Sequence, residues 1–293
     1  MKDMGKIILF FEKCIYTFYG AIKIVKSSRF RAKLKIQDTQ GDVCCILGNG
    51  PSLNKDLSIS NLCLDAKKIF AVNHFVDSEL YEKLKPQFYV FADPGFYVDN
   101  INQQEQMKIN NSFSNLKEKT TWPITIFAPF EGQKRIQNIL KENQNISVVG
   151  YNNVNTWKGF KWFDRWVYDN QWAIFSGVNV LMAALSLSIK IGFKTIYLLG
   201  ADHSWHKNLF VGDNNVLYWY DTHFYNEHVT PTPVVVEEKN KVKDLKLHEW
   251  LGYVKKAFEV YHYIEDYAKY KKVKIINCTA DSFIDAFERL KQQ

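Results

Sequence analysis

No apolar run in this 293-residue chain has the length of a membrane span. The most apolar N-terminal stretch, Ile7 to Phe11, is closed at once by Glu12 and Lys13 and lacks a small-residue cleavage site behind it. It reads as neither a spanning helix nor a signal peptide. Cysteine is scarce: five residues, an odd number without CxxC spacing, which argues against a disulfide framework and a structural zinc site. Cys44 and Cys45 are adjacent inside an apolar run and read as small buried hydrophobes in a reducing compartment. Several nucleotide and metal signatures are also missing. There is no GxxxxGK[ST] loop, no GxGxxG followed about 20 positions later by an acidic residue, and no DxD triplet to grip a divalent cation on a diphosphate donor. Outside the N-terminal segment the basic residues are dispersed, so nucleic-acid binding is not expected. Internal repeats and low-complexity tracts are absent as well.

Present instead is a regular alternation that starts near residue 42. Seven apolar runs of strand length occur in "DVCCILG", "KKIFAVNHF", "PQFYVFADPGFY", "WPITIFAPF", "NISVVGYN", "KTIYLLGADHSW" and "VKIINCT". Strands apolar throughout are buried on both faces, the mark of a parallel sheet covered by helices. Helical spacing lies between them, at Gln104 to Asn115, Glu131 to Glu142 and Gly177 to Ile191, with a last helix over Leu247 to Tyr270. The expected fold is α/β, a doubly wound, mostly parallel Rossmann-like sheet. Residues 1–40 read as a separate basic amphipathic segment and 41–293 as the catalytic domain. Within it, 203–247 shows no clear period and reads as an irregular lid.

In open parallel sheets, ligands sit at the carboxyl ends of the strands. Nearly every residue there is glycine or a short polar side chain: Gly48, Asn49, Gly50 and Ser52; Asn73 and His74; Asp93; Asp202, His203 and Ser204. Gly48 and Gly50 would let a phosphate approach the backbone, with Ser52 capping the next helix; alone, the stretch is equally a tight strand-to-helix turn. Ser176 and Gly177 would open a second helix toward an anion, and Gly192 would end it.

Taken together, "GNGPSL", Asn73, "SGV", "KTIYLLGAD" and the late "VKIINCTADS" resemble the bacterial family-42 sialyltransferases. A weaker likeness extends to related flagellin-modification proteins and the 6-hydroxymethylpterin diphosphokinase-like family. The resemblance implies a GT-A-like variant of the Rossmann-like fold and transfer of a sialic-acid-like sugar from a CMP-activated donor to a cell-surface glycan or glycolipid, without metal or other cofactor. It implies that Asn49 and Ser52 meet the CMP phosphate or ribose, that Asn73 contacts the nucleotide sugar, and that Ser176 and Gly177 line the nucleotide pocket. Asp93 stands where the family has asparagine. Ser204 takes the place of a tyrosine that would hydrogen-bond the leaving phosphate, with Tyr218 and Tyr220 farther on. A pterin-type diphosphokinase and a noncatalytic nucleotide-binding protein remain the alternatives.

Such a transfer needs a base for the acceptor hydroxyl, and histidine suits it. By order along the chain His248 is the nearest counterpart of the family's base, with His228 and His223 behind it. Asp202 would hold backbone amides or orient His203, while Asp202, His203 and His206 offer a second reading as metal ligands. The amphipathic, basic segment 5–35 suits contact with an anionic membrane, and equally an ordinary helix packed on the domain. A net charge of +7 fits a membrane surface or a phosphate-bearing ligand. These features imply a cytoplasmic protein, peripheral on the inner membrane, and leave room for an oligomer.

Overall fold

The computed structural model describes residues 2–32, 34, 42–59, 68–99, 102–176, 179–225, 230–238 and 241–290. Helix α1 (Lys2–Ser27) leads into β1 (Val43–Leu47), α2 (Leu53–Ile59) and β2 (Ile69–Val72). Helix α3 (Leu80–Leu84), β3 (Phe88–Val90), α4 (Gln103–Lys119), β4 (Ile124–Pro129), α5 (Phe130–Leu140) and β5 (Ile146–Tyr151) complete one half of the sheet. Helices α6 (Lys161–Asp169) and α7 (Val180–Ile191) then carry the chain back to β6 (Thr195–Leu199). Five short strands follow: β7 (Leu209–Val211), β8 (Leu217–Trp219), β9 (Thr232–Pro233), β10 (Val235–Glu238) and β11 (Lys241–Asp244). Helix α8 (Leu247–Tyr270), β12 (Lys274–Asn277) and the edge strand β13 (Glu288–Arg289) close the fold.

All seven expected strands enter one parallel sheet of eight, in the order β13-β12-β6-β1-β2-β3-β4-β5. Along β1 the side chains alternate between two cores. Cys44 and Ile46 join the apolar layer under α7 and α8, whereas Cys45 and Leu47 join the layer under α2 to α5. This double burial is why the strand carries no polar residue. The α/β, doubly wound reading therefore holds. From β1 the chain winds outward through β2 to β5, then returns to place β6 on the other side of β1. The β1/β6 junction is thus the topological switch point, where a crevice opens at the strands' carboxyl ends.

Three expectations need correction. Segment 203–247 is not featureless: β7, β8 and β9 form a small antiparallel sheet, and β10 pairs with β11 as a hairpin. These strands are too short and too exposed to leave an alternating pattern. Helix α7 starts at Val180, not Gly177, and its cap is Asn179, whose Oδ1 accepts from Met182 N at 3.2 Å. Ser176 is fully buried and its hydroxyl has no partner. Finally, Cys14, Cys44 and Cys278 are free thiols, but Cys45 is disulfide-bonded, so the all-reduced reading fails there.

Candidate active site

Two loops meet at the switch point, Gly48 to Ser52 after β1 and Gly200 to Ser204 after β6. Gly48 N donates to Leu199 O at 2.8 Å and Gly50 N to Gly200 O at 2.9 Å. A Cβ on Gly48 would lie 2.4 Å from Gly200 O, and one on Gly50 only 1.9 Å from the Asp202 carboxylate. The glycines thus let one loop's backbone approach the other's. The Asp202 carboxylate accepts from Ser52 N at 3.2 Å and sits 3.0 Å from Ser52 Oγ, which also reaches Asp56 at 2.9 Å. Burial holds the Asp202 carboxyl above its ordinary range; nearby Asp56 adds to this and the Ser52 hydroxyl opposes it. Asp56, buried on α2, accepts from Gly200 N at 2.9 Å and Ala280 N at 3.0 Å, tying the loop after β12 to the same knot. The first turn of the seven-residue helix α2 therefore faces the protein's own carboxylates.

Beside this knot lies a cleft of about 160 Å³, walled by Asn49, Gly50, Asn73, Asn179, Asp202, His203 and Ser204 and roofed by Trp219 to His223. The roof rests on Asn49, whose carbonyl accepts from Phe224 N at 3.2 Å and meets His223 Nδ1 at 3.2 Å. Two wall residues hold left-handed backbone without being glycine, Asn73 at φ 47° and His203 at φ 52°. Such strain concentrates where a fold over-determines a functional position. Asn49 Oδ1 and Asn73 Oδ1 are buried and have no hydrogen-bond partner. Among the described lining residues there is no lysine or arginine.

The two cleft histidines differ. His203 is buried, and burial drives its pKa down to about 3. Its Nε2 lies 2.6 Å from Tyr261 Oη and 3.0 Å from Asn179 Nδ2, so it is a neutral acceptor already engaged. His223 is half-buried. A carbonyl can only accept, so Nδ1 carries a hydrogen toward Asn49 O. Asp221 Oδ1 stands 3.3 Å from Nε2 of the same ring. Despite its burial, the Asp221 carboxyl is held below its ordinary range by His223.

The structure brings Asn49, Gly50, Asn73, Asp202, His203, Ser204, Tyr220 and His223 to the cleft. It does not bring the others. His248 is exposed in the first turn of α8, just after β11, and does not line the cleft. Asp93 is spent capping the turn Pro94–Phe96, accepting from Gly95 N at 2.8 Å. Tyr218 stacks on Phe210, outside the cleft lining, and its hydroxyl receives Asn214 Nδ2. His206 packs against Phe283, away from His203. Among the described residues no three His, Cys, Asp or Glu side chains converge on a metal-sized position. Gly177 and His228 lie outside the described residues. Asp221 carried no sequence signal, as one polar residue in a stretch without periodicity, and Asn179 was masked by Ser176, a capping residue three positions earlier.

Behind Asn73, His74 is clamped to α4. Its Nδ1 meets Ser112 Oγ at 2.7 Å, and that hydroxyl donates to Asp77 at 2.6 Å; Glu105 lies 3.7 Å from Nε2. Burial pulls the His74 pKa down, but Asp77 and Glu105 outweigh it and leave the value raised above 6.5. A raised histidine pKa contributes stability in full below the unfolded value and loses it as pH rises through the folded one. His74→Gln should therefore lower the melting temperature more at about pH 6 than at about pH 8.5, read from paired thermal melts.

The profile of the family described as "6-hydroxymethylpterin diphosphokinase MptE-like" matches residues 17–208, more than half of the chain. The chain belongs to the MptE-like family. The MptE-like span runs from within α1 past β6, and so includes Asn49, Asn73, Asn179 and Asp202, but ends before the roof that carries His223. No curated protein matches the chain. A solved structure, that of the MAf glycosyltransferase from Magnetospirillum magneticum AMB-1, shares this MptE-like chain's fold at a TM-score of 0.50 and 13% identity. The match covers 92% of this chain and 37% of that one, so the present chain corresponds to well under half of its neighbour's length.

Proposed function

We propose that this protein is a glycosyltransferase that holds a nucleotide-activated sugar at the β1/β6 switch point, with a CMP-activated, sialic-acid-like sugar as donor and a cell-surface glycan or glycolipid as acceptor. The observation that carries the reading is the pair of unpartnered buried amide oxygens, Asn49 Oδ1 and Asn73 Oδ1, in a cleft whose described lining has no lysine or arginine. Buried acceptors without donors cost free energy unless a ligand supplies them. Sugar hydroxyls and a nucleobase amine are such donors. A row of phosphates is not, and it would meet Asp202 and Asp221 instead of cations. The fold is also carried by a protein named as a glycosyltransferase.

In this reading the acceptor hydroxyl attacks the anomeric carbon, the bond from that carbon to the phosphate oxygen breaks, and CMP leaves with the bonding pair. The hydroxyl proton passes to the Asp221–His223 pair, onto the carboxylate that stands 3.3 Å from Nε2, while Nδ1 stays on Asn49 O. Tyr220, Ser204 and Thr222 line the same cleft and can donate hydroxyl hydrogens to the departing phosphate.

The second reading, transfer of a diphosphate to a hydroxymethylpterin, is favoured by the name of the family. One titration separates the two. CMP should raise the melting temperature, and CMP-activated sialic acid should release CMP when a glycan acceptor is added. Diphosphorylated pterin formed from ATP and Mg²⁺, with CMP-sugars left untouched, would overturn the first reading in favour of the second.

A further inference from the structure

Helix α1 is held to the domain along one side only. Ile24 is buried, Gly20 faces Thr156 and Phe163, and Thr17 Oγ1 accepts from Phe160 N at 2.9 Å. On another side, Met4, Ile7, Phe11, Ile15, Phe18 and Val25 recur three, four or seven residues apart and form a continuous stripe. Each is more than half exposed, from 56% at Ile7 to 73% at Val25. An apolar strip of this length facing water is the signature of an interaction surface.

What it meets is indicated by the charge next to it. Between residues 2 and 31 the chain carries seven Lys and Arg against two Asp and Glu. On the flank of α1, a second cavity of about 510 Å³ opens between this helix, residues 155–158 and α8. Lys23, Lys158, Lys255 and Lys256 line it, with Glu259 as the single carboxylate. Glu259 is shared, 2.9 Å from Lys158 and 3.8 Å from Lys255. Lys256 lies over the Trp157 ring at 5.0 Å, and Lys23 over Tyr19 at 4.8 Å. Burial, then Lys23 and Lys158, push the Lys256 pKa below its ordinary value, so the cluster repels itself and an anion would relieve it. No described helix is long and apolar enough to cross a bilayer.

We propose that α1 lies on an anionic phospholipid surface, its apolar stripe among the acyl chains, while the lysine-lined cavity between α1 and α8 takes a lipid phosphate headgroup. Apolar burial and headgroup charge act together, as amphipathic helices require for stable binding. This stands apart from the reading of the switch-point cleft, because none of these residues lines it.

The test is co-sedimentation of the full chain with vesicles. Binding is expected to vesicles of phosphatidylglycerol in phosphatidylcholine, with little to phosphatidylcholine alone, and should weaken about tenfold or more in high salt. The Lys255→Glu/Lys256→Glu double variant should bind about tenfold more weakly or worse, and Lys255→Arg/Lys256→Arg should bind as the parent does. Phe11→Ser/Phe18→Ser should also lose binding, and because both rings are exposed its thermal melt should match the parent's. Equal binding to phosphatidylcholine vesicles, or undiminished binding by the Glu variant, would overturn the proposal. So would a stable lipid-free dimer that Phe11→Ser/Phe18→Ser dissolves, which makes the stripe a seam between two copies of the chain. Saturable binding of inorganic phosphate without vesicle binding would overturn it too, making the cavity a site for a soluble anion.

Discussion

Gly50→Ala should lower stability by about 3 kcal/mol, roughly 6–12 °C in melting temperature for a chain of this size class, and should abolish ligand binding at the switch-point cleft. The new methyl would stand 1.9 Å from Asp202 Oδ2 and 2.6 Å from Gly200 O. Neither atom is the free end of a flexible chain: Asp202 is pinned by Ser52, and Gly200 O accepts from Gly50 N. Relief must therefore part the two loops, breaking the Gly50 to Gly200 hydrogen bond and the charged contacts to Ser52, each of which contributes on the order of 1–3 kcal/mol. Gly252→Ala is the matched control. Nothing lies within 4 Å of its Cβ position, and it sits inside α8, where alanine exceeds glycine by about 0.5–1 kcal/mol. One alanine should lower the melting temperature and the other raise it. A Gly50→Ala protein that melts and binds like the parent would refute the interlock.

His223→Ala should reduce sugar transfer by about 10²–10⁴-fold while changing CMP affinity little, because the Asp221–His223 pair acts on the transition state rather than on donor binding. The pH profile adds a readout that a packing role would not move: the limb assigned to the base should disappear in the variant. Asp221→Asn should cost at least as much, because it removes the carboxylate that takes the proton while leaving the imidazole in place. His248→Ala, exposed on α8 and outside the cleft lining, should turn over as the parent does. Normal transfer by His223→Ala, or its loss in His248→Ala, would return the role to the histidine favoured by chain order alone.

The core of the fold was legible because buried parallel strands must be apolar on both faces. Runs such as "CCIL" and "KTIYLL" leave no other reading, and the helix over Leu247–Tyr270 was legible to the residue. The cleft was legible only by rule, as the crevice at the strand ends, and this placed Asn49, Asn73 and Asp202 correctly beside it. What approaches Gly48 and Gly50 was not legible. A glycine states that something comes close, and a neighbouring loop satisfies that as well as a phosphate does. Ser176 and Asn179 are both good capping residues three positions apart, and the choice between them depended on where the preceding chain leaves the core. His223 and His248 were separated by the path of β8 to β11, strands of two to four residues held by tertiary contacts rather than by their own pattern.

The order of strands also has a kinetic meaning. β1 pairs with β2 across a short span of chain, Cys45 opposite Ile69, but its other neighbour is distant, Cys45 opposite Tyr197. Closing that second pairing carries the larger loop entropy, so it belongs to the late part of folding. Because the loop after β6 is half of the cleft, the site comes into being only when the second half of the sheet docks on the first. A nascent chain released before β6 could form the β1–β5 sheet and still bind nothing, and ligand affinity would serve as a direct report on completion of the fold.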